Sequence, residues 1–183
     1  MPIKFVATCL NAAQSQACES LGIEILRDYA TSYGEILPEC VTDFSVHCFN
    51  SAALKRLKTL GVQRATLHPE LNLAQIRDIK KPIDTEVVIY GKIPLMKLGN
   101  PQLSGVVTDR MGAKFLANGD TLYNSVPIFV ADKLKEIENS GISHGRLIFT
   151  TETADEVRAI IRAYMFRKPL KIKFTRGKFW TKV

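Results

Sequence analysis

Three times along the 183-residue chain an apolar helical pattern ends on a glycine and passes at once into a β-rich run: Ser20-Leu21-Gly22-Ile23, Thr59-Leu60-Gly61-Val62 and Asn139-Ser140-Gly141-Ile142. Glycine there supplies the left-handed residue that stops a helix, and the immediate strand leaves each αβ unit almost no loop. Between Asn50 and Leu60 the pattern is clearest, with Ala53, Leu54, Leu57 and Leu60 on one face and Lys55, Arg56 and Lys58 pointing outward. Such a helix covers one side of a sheet. The runs read as strands are Lys4–Thr8, Ile23–Leu26, Phe44–Phe49, Arg64–Leu67, Glu86–Tyr90 and Arg146–Phe149. Val87-Val88-Ile89 and Leu147-Ile148-Phe149 are unbroken apolar runs, as strands buried on both faces of a parallel sheet require. Strands alternating with helices give an α/β fold wound by right-handed crossovers.

About five to six βα units can be counted, whereas a closed eight-fold barrel takes about 250 residues. The expectation is one domain over residues 1–183, TIM-barrel-like but incomplete. Residues 98–121 break the rhythm: Val106-Val107-Thr108 and Ala113-Lys114-Phe115-Leu116 flank Asp109-Arg110-Met111-Gly112, an inserted β-hairpin placed as a lid. A partial barrel leaves two open strand edges, so a homo-oligomer or a second half-barrel subunit is the expected partner.

Apolar content of 46% with 23% charged residues is ordinary globular usage, which removes the disordered and collagen-like classes. The run Ile3–Leu10 is interrupted by Lys4 and followed by Asn11 and Gln14, too short and broken for a signal-peptide core or a spanning helix. A cytoplasmic protein with no membrane partner is expected. Cys9, Cys18, Cys40 and Cys48 stand at no zinc or redox spacing, which predicts free thiols and neither a metal site nor an iron–sulfur cluster. His47, His68 and His144 form no H-E-x-x-H pattern, and His47, alternating with Val46 and Cys48, reads as a packed side chain. No serine, cysteine or threonine sits in a recognisable elbow with a histidine partner.

Barrel enzymes present catalytic groups where strands end. His68 and Glu70 follow the strand ending at Leu67, with Glu70 the first candidate for a functional acid and His68 a substrate contact. The same residues also lead into a helix whose capping box would be Asn72 and Gln75. Tyr90 and Lys92 follow the next strand, a phenol and an ammonium able to hold an anionic or carbonyl group, or else a core-capping tyrosine and a solvated lysine. Asp109 and Arg110 at the hairpin tip, Asn124 ahead of Pro127, and Arg146 on the last strand complete the substrate-binding candidates around one mouth. After Pro127 a helix is expected from Ile128 onward.

Seven of the 25 Lys and Arg follow Tyr164, and no Asp or Glu does, so the tail carries the whole net charge of +7. Thr153 and Glu156 cap the last helix, Val157, Ile160, Ile161 and Tyr164 form its apolar face, and Pro169 stops it. Beyond it, residues 169–183 read as a basic β segment. Lys171, Lys173, Arg176 and Lys178, interleaved with Phe174, Phe179 and Trp180, suit single-stranded nucleic acid, with phosphates held by charge and bases stacked on Trp180. An amphipathic segment with a solvated basic face is the alternative.

In order and spacing, Leu67–Asn72, Tyr90–Met96, Thr108–Gly112 and Leu122–Pro127 resemble the collagenase-like peptidase U-32 family, from about Phe44 to the C-terminus. The resemblance implies a barrel-type fold and a hydrolase acting on proteins or peptides, or, as in several branches, a part in RNA or quinone hydroxylation. It supports Glu70, because an acid after proline belongs to the matching motif. Lys92 stands where the family usually has arginine, and many relatives have a small hydroxyl residue at the place of His68. At the place of Ile148 many carry an acid, so a charge partner for Arg146 is missing there. Cluster-binding branches carry cysteines beyond the stretch matching Pro94-Leu95-Met96, and Lys97–Val107 holds none. The family's N-terminal half, with its glutamate, histidine and cysteine signature, has no visible counterpart, which leaves open whether the chain is an active peptidase by itself. An RNA-binding or RNA-hydroxylation component and a non-catalytic assembly module are the alternatives.

Overall fold

Unbroken apolar strands and short glycine-stopped helices build the elements in this order. The first half runs β1 (Lys4–Thr8), α1 (Ala12–Glu19), β2 (Glu24–Ile25), β3 (Val41–Thr42), α2 (Ser51–Thr59), β4 (Arg64–Thr66), α3 (Leu73–Asp78) and β5 (Asp84–Gly91). Then come β6 (Pro94–Lys97), β7 (Gly105–Thr108), β8 (Lys114–Asn118), β9 (Thr121–Asn124), β10 (Ile128–Phe129), α4 (Leu134–Asn139), β11 (His144–Ile148) and α5 (Ala154–Met165). This computed structural model describes residues 2–99, 104–112 and 114–181.

Six strands form a parallel sheet in the order β2-β1-β11-β5-β4-β3, and β10 joins β5 antiparallel. The fold is therefore mixed α/β with a curled half-barrel sheet. The curl is measurable: β2 and β4 stand four strand spacings apart, about 19 Å if flat at roughly 4.8 Å each. Yet Arg64 Nη2 on β4 lies 3.5 Å from Glu24 Oε1 on β2. The stretch 24–30 then touches both ends of the sheet. Leu26 N donates to Ala7 O at 2.8 Å, while Ala30 N donates to Val41 O at 2.9 Å and Ala30 O accepts from Asp43 N at 2.8 Å. One segment of the chain thus reaches both edges of the sheet.

The helices pack on the outer face. Leu54 and Leu57 of α2, Leu134 and Ile137 of α4, and Val157, Ile160, Ile161 and Tyr164 of α5 are all buried against Val87, Ile89 and Leu147. Tyr164 ties this layer to the sheet, its hydroxyl donating to Ile89 O at 2.5 Å and accepting from Val130 N at 2.9 Å. The expected helix stops hold, with Gly22, Gly61 and Gly141 at φ of 72°, 80° and 81°. Both expected capping boxes form, at Asn72 with Gln75 and at Thr153 with Glu156. Gly91 has φ 130°, and a Cβ there would lie 2.5 Å from Ile148 O, so only glycine lets β5 pass β11 at this point.

Three expectations need correction. The strand expected at Phe44–Phe49 lies earlier, at Val41–Thr42, because the Asp43 carboxylate accepts from Ser45 N and starts a 3-10 turn over Phe44–Val46. Ile128 does not begin a helix: it pairs with Gly91 and Thr175, and the helix waits until Leu134. The expected hairpin forms, β7 pairing β8 antiparallel on either side of Asp109–Gly112, and it sits with β6 and β9 in a four-stranded antiparallel sheet of order β6-β9-β8-β7; residues 100–103 and Ala113 lie outside the described residues. The tail expected as a β segment makes one bridge, Thr175 to Ile128, and its Lys182 and Val183 also lie outside the described residues.

Candidate functional site

Two polar regions stand out, one open at the C-terminal ends of the strands and one sealed inside the sheet. The open region is a cleft of about 810 Å³ between the end of β4, the strand β6 and the tail. His47, His68 and Glu70 line one wall, Ile93 to Lys97 another, and Asn124 and Lys178 complete it. Leu95 and Met96 are exposed along β6, which is an edge strand of its sheet.

His68 sits in an aromatic stack, its ring centroid 4.2 Å from that of Phe49 and 5.4 Å from that of His47. Burial holds the imidazole below the ordinary histidine range, with the Glu70 charge opposing that shift, so the ring is neutral at pH 7. Glu70 N donates to His68 Nδ1 at 3.4 Å, which assigns the ring proton to Nε2. The His68-Pro69-Glu70 turn also leads into α3, so it serves both uses that the sequence allowed. His47, expected as a packed strand residue, is exposed at the left-handed end of the 3-10 turn, with φ 57°.

The other mouth candidates separate. Tyr90 is buried, ringed by Phe149 and Tyr164, and its hydroxyl donates to Glu152 Oε1 at 3.0 Å. Burial raises its pKa well above the phenol range. The cause of its position is a bulge: Arg146 pairs with Val88 but Leu147 with Tyr90, so the alternation of β5 slips by one residue and Tyr90 joins Ile89 on the helix side. Lys92 Nζ donates to Thr151 Oγ1 at 2.7 Å. Asp109 shapes the β7–β8 turn, its carboxylate accepting from Met111 N at 2.8 Å, with Arg110 exposed beside it; neither lines the cleft.

The sealed region is the interior of the curled sheet. Arg146 is 1% exposed and bonds Glu86 Oε1 through Nε, Asp43 Oδ1 through Nη1 at 2.6 Å, and Thr66 Oγ1 through Nη2 at 2.9 Å. The ring of Tyr29 covers its guanidinium at 5.1 Å. Arg64 Nε faces Glu86 Oε2 at 3.2 Å. The charge partners of Arg146 are thus Asp43 and Glu86, and its acidic neighbour need not stand at position 148. Sequence reading missed this cluster. Its signal was Glu86, a carboxylate opening a run otherwise wholly apolar.

The tail lies across the outside. Arg176 grips Asp132 with both Nη atoms, at 2.5 and 2.8 Å, and stacks on Phe174 at 4.6 Å. Phe179 is buried, and Trp180 Nε1 donates to Glu136 Oε2 at 2.6 Å. Lys171, Lys173 and Lys178 remain exposed.

Residues 33–115 match the model of peptidase family U32. The resemblance to this collagenase-like family is thereby shown for a stretch that begins before Phe44 and stops short of the tail. Three of the four motif segments fall inside it, with His68, Glu70, Tyr90, Lys92, Asp109 and Arg110. Asn124, Arg146 and the basic tail lie beyond it. Comparison with curated proteins and with solved structures gives no significant match. No helix among the described residues is long and apolar enough to cross a membrane, and none of their His, Cys, Asp and Glu side chains cluster as a metal site would require.

Proposed function

We propose that this chain is a peptidase-family hydrolase that takes an extended polypeptide into the cleft beside β6 and cleaves it with an activated water. The observation that carries the reading is the conjunction, in one cleft, of a neutral imidazole, a carboxylate and an ammonium beside an edge strand with exposed apolar side chains. An edge strand offers main-chain pairing to an extended peptide, and Leu95 and Met96 offer apolar contacts for its side chains. Glu70 is the base for water. His68, with its proton on Nε2, donates to the scissile carbonyl, and Lys178 adds positive charge where the oxyanion develops. Tyr90 and Lys92 act on the frame, through Glu152 and Thr151.

Denatured collagen and unfolded casein are the test substrates. Wild type should cleave them, Glu70→Gln should lose at least a hundredfold in rate with stability within about 1 kcal/mol, and His68→Asn should lose rate with little change in KM. A wild type that neither cleaves nor binds these polypeptides sinks the proposal. The second reading, an RNA component, has the exposed Lys171, Lys173 and Lys178 in its favour. Against it, Arg176 and Trp180 are engaged within the fold, with Asp132 and Glu136.

A further inference from the structure

Cys9 follows the end of β1, and Cys18 lies in the last turn of α1. Eight residues separate them, a spacing that pairs nothing by itself, but α1 folds back beside the strand it follows and brings the two sulfurs to 3.7 Å. A disulfide needs about 2.05 Å, a small side-chain movement from there. The two thiols are unequal. Cys18 is fully buried, whereas Cys9 is partly exposed and lines a cavity of about 180 Å³ with Tyr29, Phe149 and Thr150 at the barrel mouth. The hydrogen-bond contact with Cys18, with Ser15 and the Arg27 charge adding to it, holds Cys9 below the ordinary thiol range against its partial burial. Cys48, by contrast, is buried and pushed up to about 11.

We propose that Cys9 is a hydroperoxide-reactive thiol and that Cys18 is its resolving partner. The Cys9 thiolate attacks a peroxide oxygen; the S–O bond forms, the O–O bond breaks, and the departing oxygen takes a proton and leaves as water or an alcohol. Cys18 then loses its proton, its sulfur displaces the hydroxyl from the Cys9 sulfenic acid as water, and the S–S bond closes. Two thiols are oxidised by two electrons and one peroxide is reduced. The product ties the mouth end of β1 to α1. Neither Cys9 nor Cys18 lines the cleft proposed for peptide cleavage, so either reading can fail without the other.

The test exposes the folded protein to equimolar hydrogen peroxide, then counts thiols after denaturation and maps peptides by mass. The expected result is loss of two of the four thiols, with one cross-link joining Cys9 to Cys18. Cys18→Ser should accumulate a sulfenic acid on Cys9 that dimedone traps, and Cys9→Ser should keep its thiols at least tenfold longer than wild type. Four thiols persisting in wild type, a cross-link through Cys40 or Cys48, or Cys9→Ser oxidising at the wild-type rate overturns the proposal. Should Cys18→Ser fold poorly, the wild-type peptide map decides alone.

Discussion

Arg146→Met is the substitution that most directly tests how the sheet interior is held. Wild type balances two guanidinium groups, Arg64 and Arg146, against two carboxylates, Asp43 and Glu86. Methionine fills much of the volume but leaves Asp43 without its ion-pair partner and Glu86 with only Arg64, whose 3.2 Å contact is not aligned as a hydrogen bond. Removing one member of a buried charge group costs about 3–5 kcal/mol, because the orphaned charge stays desolvated. At roughly 2–4 °C per kcal/mol for a domain of this size, Tm should fall by roughly 6–20 °C. Adding Asp43→Asn restores neutrality, leaving Arg64 against Glu86, and asparagine can still accept from Ser45 N at the turn. The double variant should therefore be more stable than Arg146→Met alone, with a coupling of about 1–3 kcal/mol. Thermal melts followed by far-UV circular dichroism, with urea titrations for the free energies, measure both quantities. A single-variant cost below about 1 kcal/mol, or strictly additive effects, would refute the picture of a charge-balanced interior.

Two further outcomes follow from groups outside that cluster. Burial lowers the pKa of both His68 and His144, so the unfolded chain, with histidines near about 6.5, binds protons before the folded one does. Stability should be level above about pH 6.5 and fall as pH drops through the folded values; His68→Asn should shrink that fall, and an unchanged pH profile in the variant would contradict the assignment. In the tail, Trp180→Ala removes the bond to Glu136 and should cost about 1–2 kcal/mol while leaving RNA affinity unchanged. Weaker RNA binding at unchanged Tm, with a salt slope reduced by about 2 when Lys171, Lys173 and Lys178 become serine, would instead favour the nucleic-acid reading.

What the sequence disclosed was mainly what local chemistry decides. Glycine stops at Gly22, Gly61 and Gly141, the two capping boxes and the strand at Lys4–Thr8 all depend on neighbours along the chain, and all were legible. The strand misread at Phe44–Phe49 shows the limit. Its apolar alternation fits β structure, but Asp43 both caps a turn and reaches Arg146 on β11, more than a hundred residues away. No periodicity within the segment carries that contact. Tyr90 failed to project for a related reason, since the bulge that turns it inward exists only where β5 meets β11. At the site, His68 and Glu70 were readable from their place after a strand, whereas His47 and Lys178 joined them through a turn and a tail crossing.

Closure of the sheet had a legible trace that counting strands obscured. A sheet open at both edges has no reason to bury charge on its concave face, because water would reach it. Glu86, fully buried in β5, and the arginines of β4 and β11 only become tolerable when the opposite wall comes close enough to pair and desolvate them together. The segment 24–30 supplies that wall, bringing Glu24 to Arg64 and Tyr29 over Arg146. Inward charges on several strands of an incomplete barrel therefore argue that the chain curls on itself and that its interior, unlike the apolar layer beneath the helices, selects one register by charge pairing. Register matters here because a one-residue slip of β5 would carry Glu86 to the helix side, where only apolar groups wait.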